Sequence, residues 1–154
     1  MSILVGPELH PSLVIPDLGQ RRRESALLDM LRRARDAGRV RDPELARSTL
    51  LARERLGPTS PGRGVAFPNA RSLLVDEACW VLARSRRGIE WGAPDDGAVH
   101  LVLMVLSPSE ASIEAHHELL SRAAAALKPA RTRTRLIEAD GADGLLALAR
   151  EVLG

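Results

Sequence analysis

The sequence predicts an α/β fold, a mixed β-sheet flanked by helices on both faces. Three observations predict it. Segments with helical spacing alternate with short apolar runs along the chain. The longest run, at Val99–Leu106, is continuous from Leu101 onward rather than alternating, as in a central strand buried on both faces. The helical segments also carry recognisable start and stop residues. The same pattern is compatible with an α+β arrangement in which helices cover a mixed sheet.

Taken in order, Leu13-Val14-Ile15 is a short strand candidate closed by Pro16. Ala26, Leu27, Met30, Leu31 and Ala34 follow helical spacing, and Gly38 is placed to stop that helix. Asp42-Pro43-Glu44 starts a second helix. It supplies an N-cap acceptor, a proline at the first helical position and an acid near the positive end of the dipole. That helix should run to about Leu56 before Gly57-Pro58 breaks it. A Gly/Pro-rich loop, Thr59 to Gly64, leads to a short strand at Val65-Ala66-Phe67, cut by Pro68. Strands follow at Ala78–Ala83 and Val99–Leu106, with a small one between them at Gly88–Trp91. Ser112 can cap a helix carrying Ile113, His116, His117, Leu120, Ala124 and Leu127 on one broad face. Helical segments at Thr132–Ala139 and Ala142–Leu153 close the chain.

A chain of 154 residues favours a single domain, here 1–154. A domain of that size buries about two-thirds of its unfolded surface, so it needs no disulfide or metal staple. Cys79 is the single cysteine and sits in the apolar run Ala78–Leu82, where it reads as a packed small hydrophobe. One cysteine and no visible signal peptide place the protein in a reducing cytoplasm. No apolar run approaches the ~20 residues that span a bilayer. The formal net charge is +2, with 22 basic residues interleaved among 20 acids. With two Trp, one Phe and no Tyr there is little to stack on bases, which argues against nucleic acid as a partner. His116 and His117 are adjacent on a helix and point about 100° apart, and no HExxH or CxxC motif accompanies them, so no metal is expected. Gly62-Arg63-Gly64 precedes a strand instead of opening a helix, the wrong order for a dinucleotide loop, so no cofactor is expected.

Alone, Pro68-Asn69 reads as a turn pair. Its surroundings change that reading. The block from Leu51 through Arg53-Glu54, Gly57, Gly64 and Pro68-Asn69 to Arg71 resembles the fructose/mannitol-type EIIA family of the phosphotransferase system, and most of all its nitrogen-regulatory branch. In that family an Arg-Glu-x-x-Gly helix end, a glycine-rich loop and a short strand lead to a Pro-His dipeptide. Gly88-Ile89-Glu90-Trp91, Val99 to Pro108, and Ala115-His116-His117-Glu118-Leu119-Leu120-Ser121 resemble later segments. Counting back from Ser121 aligns His116, not His117, with the second active-site histidine. The resemblance covers residues 10–153 and implies the family's mixed sheet flanked by helices. It also implies a histidine after the proline that takes a phosphoryl group from a small phosphocarrier protein and passes it on, or holds it as a regulatory mark.

Here that histidine position holds Asn69, while His116 and Arg53 fall on the positions of its presumed helpers. A neutral imidazole offers a nucleophilic lone pair, whereas an amide nitrogen has its lone pair delocalised into the carbonyl. Nearby donors and cations stabilise the spread charge of a phosphoryl transition state. Asn69 can imitate the hydrogen-bonding shape of an unphosphorylated imidazole but cannot supply the nucleophile. The resemblance therefore implies a regulatory protein that binds partners, such as the phosphocarrier protein, a sensor kinase or a transporter, without being switched at residue 69. The alternative is an active phosphocarrier that uses His116 as acceptor. A third reading is an anion pocket made by Arg53, Arg63, Arg71 and the backbone of Pro61–Gly64. His10 and His100 have no motif support and read as structural.

Overall fold

A computed structural model describes residues 7–153 of the chain. His10 caps a short 3-10 turn at Pro11–Leu13 by accepting from the Ser12 backbone N–H at 3.2 Å. The turn leads into β1 (Val14–Ile15). Helix α1 (Arg23–Asp36) turns Ala26, Leu27, Met30, Leu31 and Ala34 fully inward and stops at Gly38, whose φ of +74° suits glycine. Helix α2 (Pro43–Arg55) begins where the Asp42 carboxylate accepts from the Leu45 N–H at 3.2 Å. There follow β2 (Val65–Ala66), β3 (Asn69–Ser72), β4 (Cys79–Ile89) and β5 (Val99–Pro108). Helix α3 (Ile113–Ala126) is capped by Ser112, which accepts from Ala115 N–H at 3.0 Å; α4 (Ala130–Glu138) and α5 (Gly141–Leu153) complete the chain.

The strands form one mixed sheet in the order β1-β4-β5-β2, with β3 also on β5. β4 and β5 are antiparallel, while β1 runs parallel to β4, and β2 and β3 run parallel to β5. Every residue from Leu101 to Ser107 is buried, as predicted for a central strand covered on both faces. α1 packs on α2, and α5 packs on α3 and α4, giving two helical layers around the sheet.

Three expectations change. β2 pairs Val65 with Leu101 and Ala66 with Val102; β3 pairs Asn69 with Val105 through Ser72 with Pro108. The offset is the same on both sides of Phe67-Pro68, so the proline interrupts the strand without ending it. Pro68 has no N–H to donate, yet its carbonyl still accepts from Val105 N–H at 2.9 Å. Asn69 is therefore the first residue of a strand, not part of a turn. Second, Ala78–Ala83 and Gly88–Trp91 are not separate strands. β4 runs on through Arg84–Arg87 and absorbs an irregularity before Ile89. Gly88 makes this possible: its φ is +91°, and a Cβ there would lie 2.6 Å from the Ala98 Cβ. Third, the inward face of α3 is His116, Ala123 and Leu127, with Leu119 and Leu120 partly buried. Ile113, His117 and Ala124 face solvent.

Arg84 is the large charged residue of the core, 1% exposed. Its Nε donates to Pro16 O at 3.0 Å, and its Nη1 donates to the carbonyls of Leu136, Ile137 and Ala139 at 2.9, 3.3 and 2.7 Å. A guanidinium thus closes the C-terminal end of α4, where carbonyls lack helical partners and the dipole is negative. Cys79 packs in the core as expected, and burial pushes its thiol up to about 12, the nearby Arg39 opposing and Glu77 adding to the shift. No helix among the described residues is long and apolar enough to cross a membrane.

Candidate functional site

The site forms where the C-terminal end of β5, the start of β3 and the first turn of α3 meet. Asn69 is half-buried. Its backbone follows the proline break, and its side chain turns back, Nδ2 donating to the Phe67 carbonyl at 3.0 Å. Phe67 is not engaged with β5 at its own N–H, which donates to Thr59 O instead. The other end of the amide, Oδ1, lies 3.1 Å from His116 Nε2. His116 is 6% exposed, and its Nδ1 lies 2.7 Å from the Ser107 hydroxyl, which is buried in β5. The result is an unbroken chain from Phe67 C=O through Asn69 and His116 to Ser107.

The surroundings hold His116 neutral. Burial lowers its pKa below the ordinary imidazole value, and the nearby His117 and Arg71 charges lower it further. In an unfolded chain the ring takes a proton near 6.5. Between the two values the unfolded state binds more protons, so this group's stabilising contribution is complete above about pH 6.5 and falls as the pH drops through the folded-state value. Urea denaturation at stepped pH should therefore show stability declining below about pH 6.5. Replacing His116 with glutamine should flatten that limb of the profile.

The structure brings Asn69 and His116 into contact. Arg53 lies at the exposed end of α2, where its Nη1 donates to Gly57 O at 2.8 Å, and among the described residues no hydrogen bond or ion pair joins it to Asn69 or His116. The cation that bears on His116 is Arg71, two residues along β3, fixed by Nη1 donation to Ser109 O and Ala111 O at 2.9 and 3.1 Å. Its neighbour in the Arg53-Glu54 pair has the buried role. The Glu54 carboxylate accepts from Thr59 N–H at 3.0 Å and from the Thr59 hydroxyl, and it lies 3.7 Å from Arg23 Nη1. It thereby anchors the loop that delivers the chain to β2 and Asn69. In the sequence the only hint of that role is an acid shortly before the Gly57-Pro58 break.

Two N–H groups of the loop are already engaged within the protein. Gly62 N–H donates to Ser60 Oγ at 3.1 Å, and Arg63 N–H donates to Asp95 Oδ2 at 2.9 Å. The Arg63 N–H bond, with a second from Gly97 N–H, holds the Asp95 carboxyl below its usual range. His100 is spent on Ser85 O at 2.8 Å. No group of three or more His, Cys, Asp or Glu among the described residues could hold a metal. Ser107 also lines a cavity of about 560 Å³, together with Arg39, Glu77, Arg122 and Arg150. Asn69 does not line it, so the cavity is separate from the half-open face at residue 69.

Residues 9–151 match the model of the family described as "Phosphoenolpyruvate-dependent sugar phosphotransferase system, EIIA 2". The chain belongs to the EIIA type 2 family. It is similar to the fructose-specific EIIA component of Haloferax volcanii, 34% identical over 131 residues that cover 85% of this chain and 84% of that one. The nitrogen regulatory protein of Pseudomonas aeruginosa is 33% identical over 111 residues, covering 72% and 71%. The crystal structure of nitrogen regulatory protein IIA-Ntr from Neisseria meningitidis superposes with a TM-score of 0.83 at 26% identity, covering 96% of this chain and 97% of that one. The EIIA fold accounts for the mixed sheet between helical layers and for the meeting of β3, β5 and α3 at one end.

Proposed function

We propose that this EIIA domain is a regulatory protein of the nitrogen-regulatory type that acts by binding other proteins and does not accept phosphate at residue 69. One observation carries the reading: both ends of the Asn69 amide are committed, Nδ2 to Phe67 O and Oδ1 to His116. The amide offers no nucleophilic nitrogen. Its two bonds hold the face at residue 69 in one hydrogen-bonded arrangement, as an unphosphorylated imidazole would. On this reading Asn69 stands where the family carries its acceptor histidine, and His116 keeps the helper position. The similarity to nitrogen regulatory proteins of two organisms supports the branch.

The competing reading, phosphate on His116, requires a lone pair open to an incoming group. The His116 ring is 6% exposed, with one nitrogen on Asn69 and the other on Ser107. Phosphoryl transfer needs near in-line approach, which that packing opposes.

The test incubates the protein with a phosphorylated phosphocarrier protein and a control EIIA domain. The control should be labelled and this chain should not. A mass-shifted peptide spanning residues 64–71 or containing His116 would overturn the proposal. The binding half is tested separately: immobilised protein should retain a sensor kinase, a transporter or the carrier from a matched lysate, and retention of none of them counts against it.

A further inference from the structure

The proton on His116 can be placed by following the hydrogen bonds from a group whose role is fixed. A backbone carbonyl can only accept, so the Asn69 atom 3.0 Å from Phe67 O is the NH₂ group. That leaves Oδ1 facing His116, and Oδ1 can only accept. His116 Nε2, 3.1 Å away, must then carry the proton. With the ring held neutral by burial, Nδ1 has a lone pair and no proton. The Ser107 hydroxyl, 2.7 Å from Nδ1, is the donor that meets it. A serine hydroxyl can donate or accept and so does not by itself choose the tautomer.

We propose that Ser107 is a positioning residue, which holds the His116 ring so that its Nε2–H is aimed at residue 69, while the proton itself is assigned from the Phe67 carbonyl through Asn69. The two ends have different tasks. Asn69 decides which nitrogen is protonated, because the opposite tautomer would set Nε2 and Oδ1 lone pair against lone pair. Ser107 decides where the ring points, because it grips the nitrogen on the other side. Ser107 is suited to this: it is 1% exposed and fixed in the long central strand opposite the first turn of α3. The donor is thus pre-aimed at residue 69, where the Asn69 amide oxygen already meets it at 3.1 Å. This inference concerns hydrogen-bond geometry alone and stands whether or not residue 69 is a lost phosphate acceptor.

Nitrogen-15 NMR of the histidine rings tests it on the full chain, with circular dichroism to confirm folding. The parent should show His116 as the Nε2–H tautomer with a slowly exchanging ring proton and a hydrogen-bonded Nδ1. In Ser107→Ala the Nδ1 resonance should move to its free position, and the Nε2–H proton should exchange at least about tenfold faster, a loss of about 1.4 kcal/mol of protection. Ser107→Thr, which keeps the hydroxyl, should restore both signals. Asn69→Ala should do something different: Nδ1 stays hydrogen-bonded, but the tautomer becomes mixed. An Nδ1–H tautomer in the parent overturns the assignment. Unchanged ring-proton exchange in folded Ser107→Ala overturns the positioning role, and a single unchanged tautomer in Asn69→Ala overturns the division between the two ends.

Discussion

Replacing Arg84 with methionine should destabilise the protein by about 3–5 kcal/mol, because several buried carbonyls lose their donor. The guanidinium serves the carbonyls of Pro16, Leu136, Ile137 and Ala139 at once, joining the strand β4 to the end of β1 and the last turn of α4. Methionine fills most of the volume but donates nothing. Each abandoned buried carbonyl costs roughly 1–3 kcal/mol, reduced where the end of α4 can fray into water. For a chain of this length each kcal/mol moves the melting temperature by about 2–4 °C, so calorimetry should show a fall of about 6–20 °C. Arg84→Lys should lie between, because one ammonium cannot span the positions a planar fork reaches. A melting temperature within about 2 °C of the parent would mean that α4 does not depend on this residue.

Asn69→His should have the largest effect on activity. The parent should take no label from a phosphorylated phosphocarrier, and the variant should approach one phosphoryl group per chain. Residue 69 sits 3.1 Å from His116 Nε2, the donor in the tautomer proposed above, and the Arg71 charge bears on that ring. Both are suited to the charge that spreads over a transferring phosphoryl group. On the proposed reading, a histidine there would supply the component that Asn69 cannot, a nitrogen lone pair. If the folded variant stays unlabelled while a control EIIA domain is labelled, the residue at position 69 does not by itself decide whether this chain takes phosphate.

Much of the architecture was readable from local physical chemistry. The caps at Asp42 and Ser112 were visible because short oxygen-bearing side chains before apolar periodicity have few other uses. β5 was visible because burial on both faces leaves a continuous apolar run. β3 was not, since Asn69-Ala70-Arg71-Ser72 has no apolar alternation and is held by backbone pairing to β5. The second half of β4 was hidden for a related reason. Arg84–Arg87 looks like a solvated stretch until the end of α4 arrives to occupy Arg84. The pairing of Asn69 with His116, 47 residues apart, came from family resemblance and not from any local pattern. Glu54 shows the limit of that route: the resemblance gave it no task, whereas the fold buries it and sets it on the Thr59 loop.

The unequal way the strands are connected bears on how the sheet assembles. β4 and β5 are antiparallel neighbours in sequence, joined through a short connection that closes cheaply, whereas β1, β2 and β3 reach their parallel partners only across long separations. The β4–β5 pair is thus the natural nucleus, and the strand carrying residue 69 joins it afterwards. What is added last is also the easiest to release. Native-state hydrogen exchange should open the amides of β3 at a lower free energy than those of Val81–Ala83 and Leu101–Leu103. Uniform protection across all of them would show that the sheet moves as one body. Partial opening would let the face at residue 69 reshape itself against a partner while the rest of the sheet stays closed.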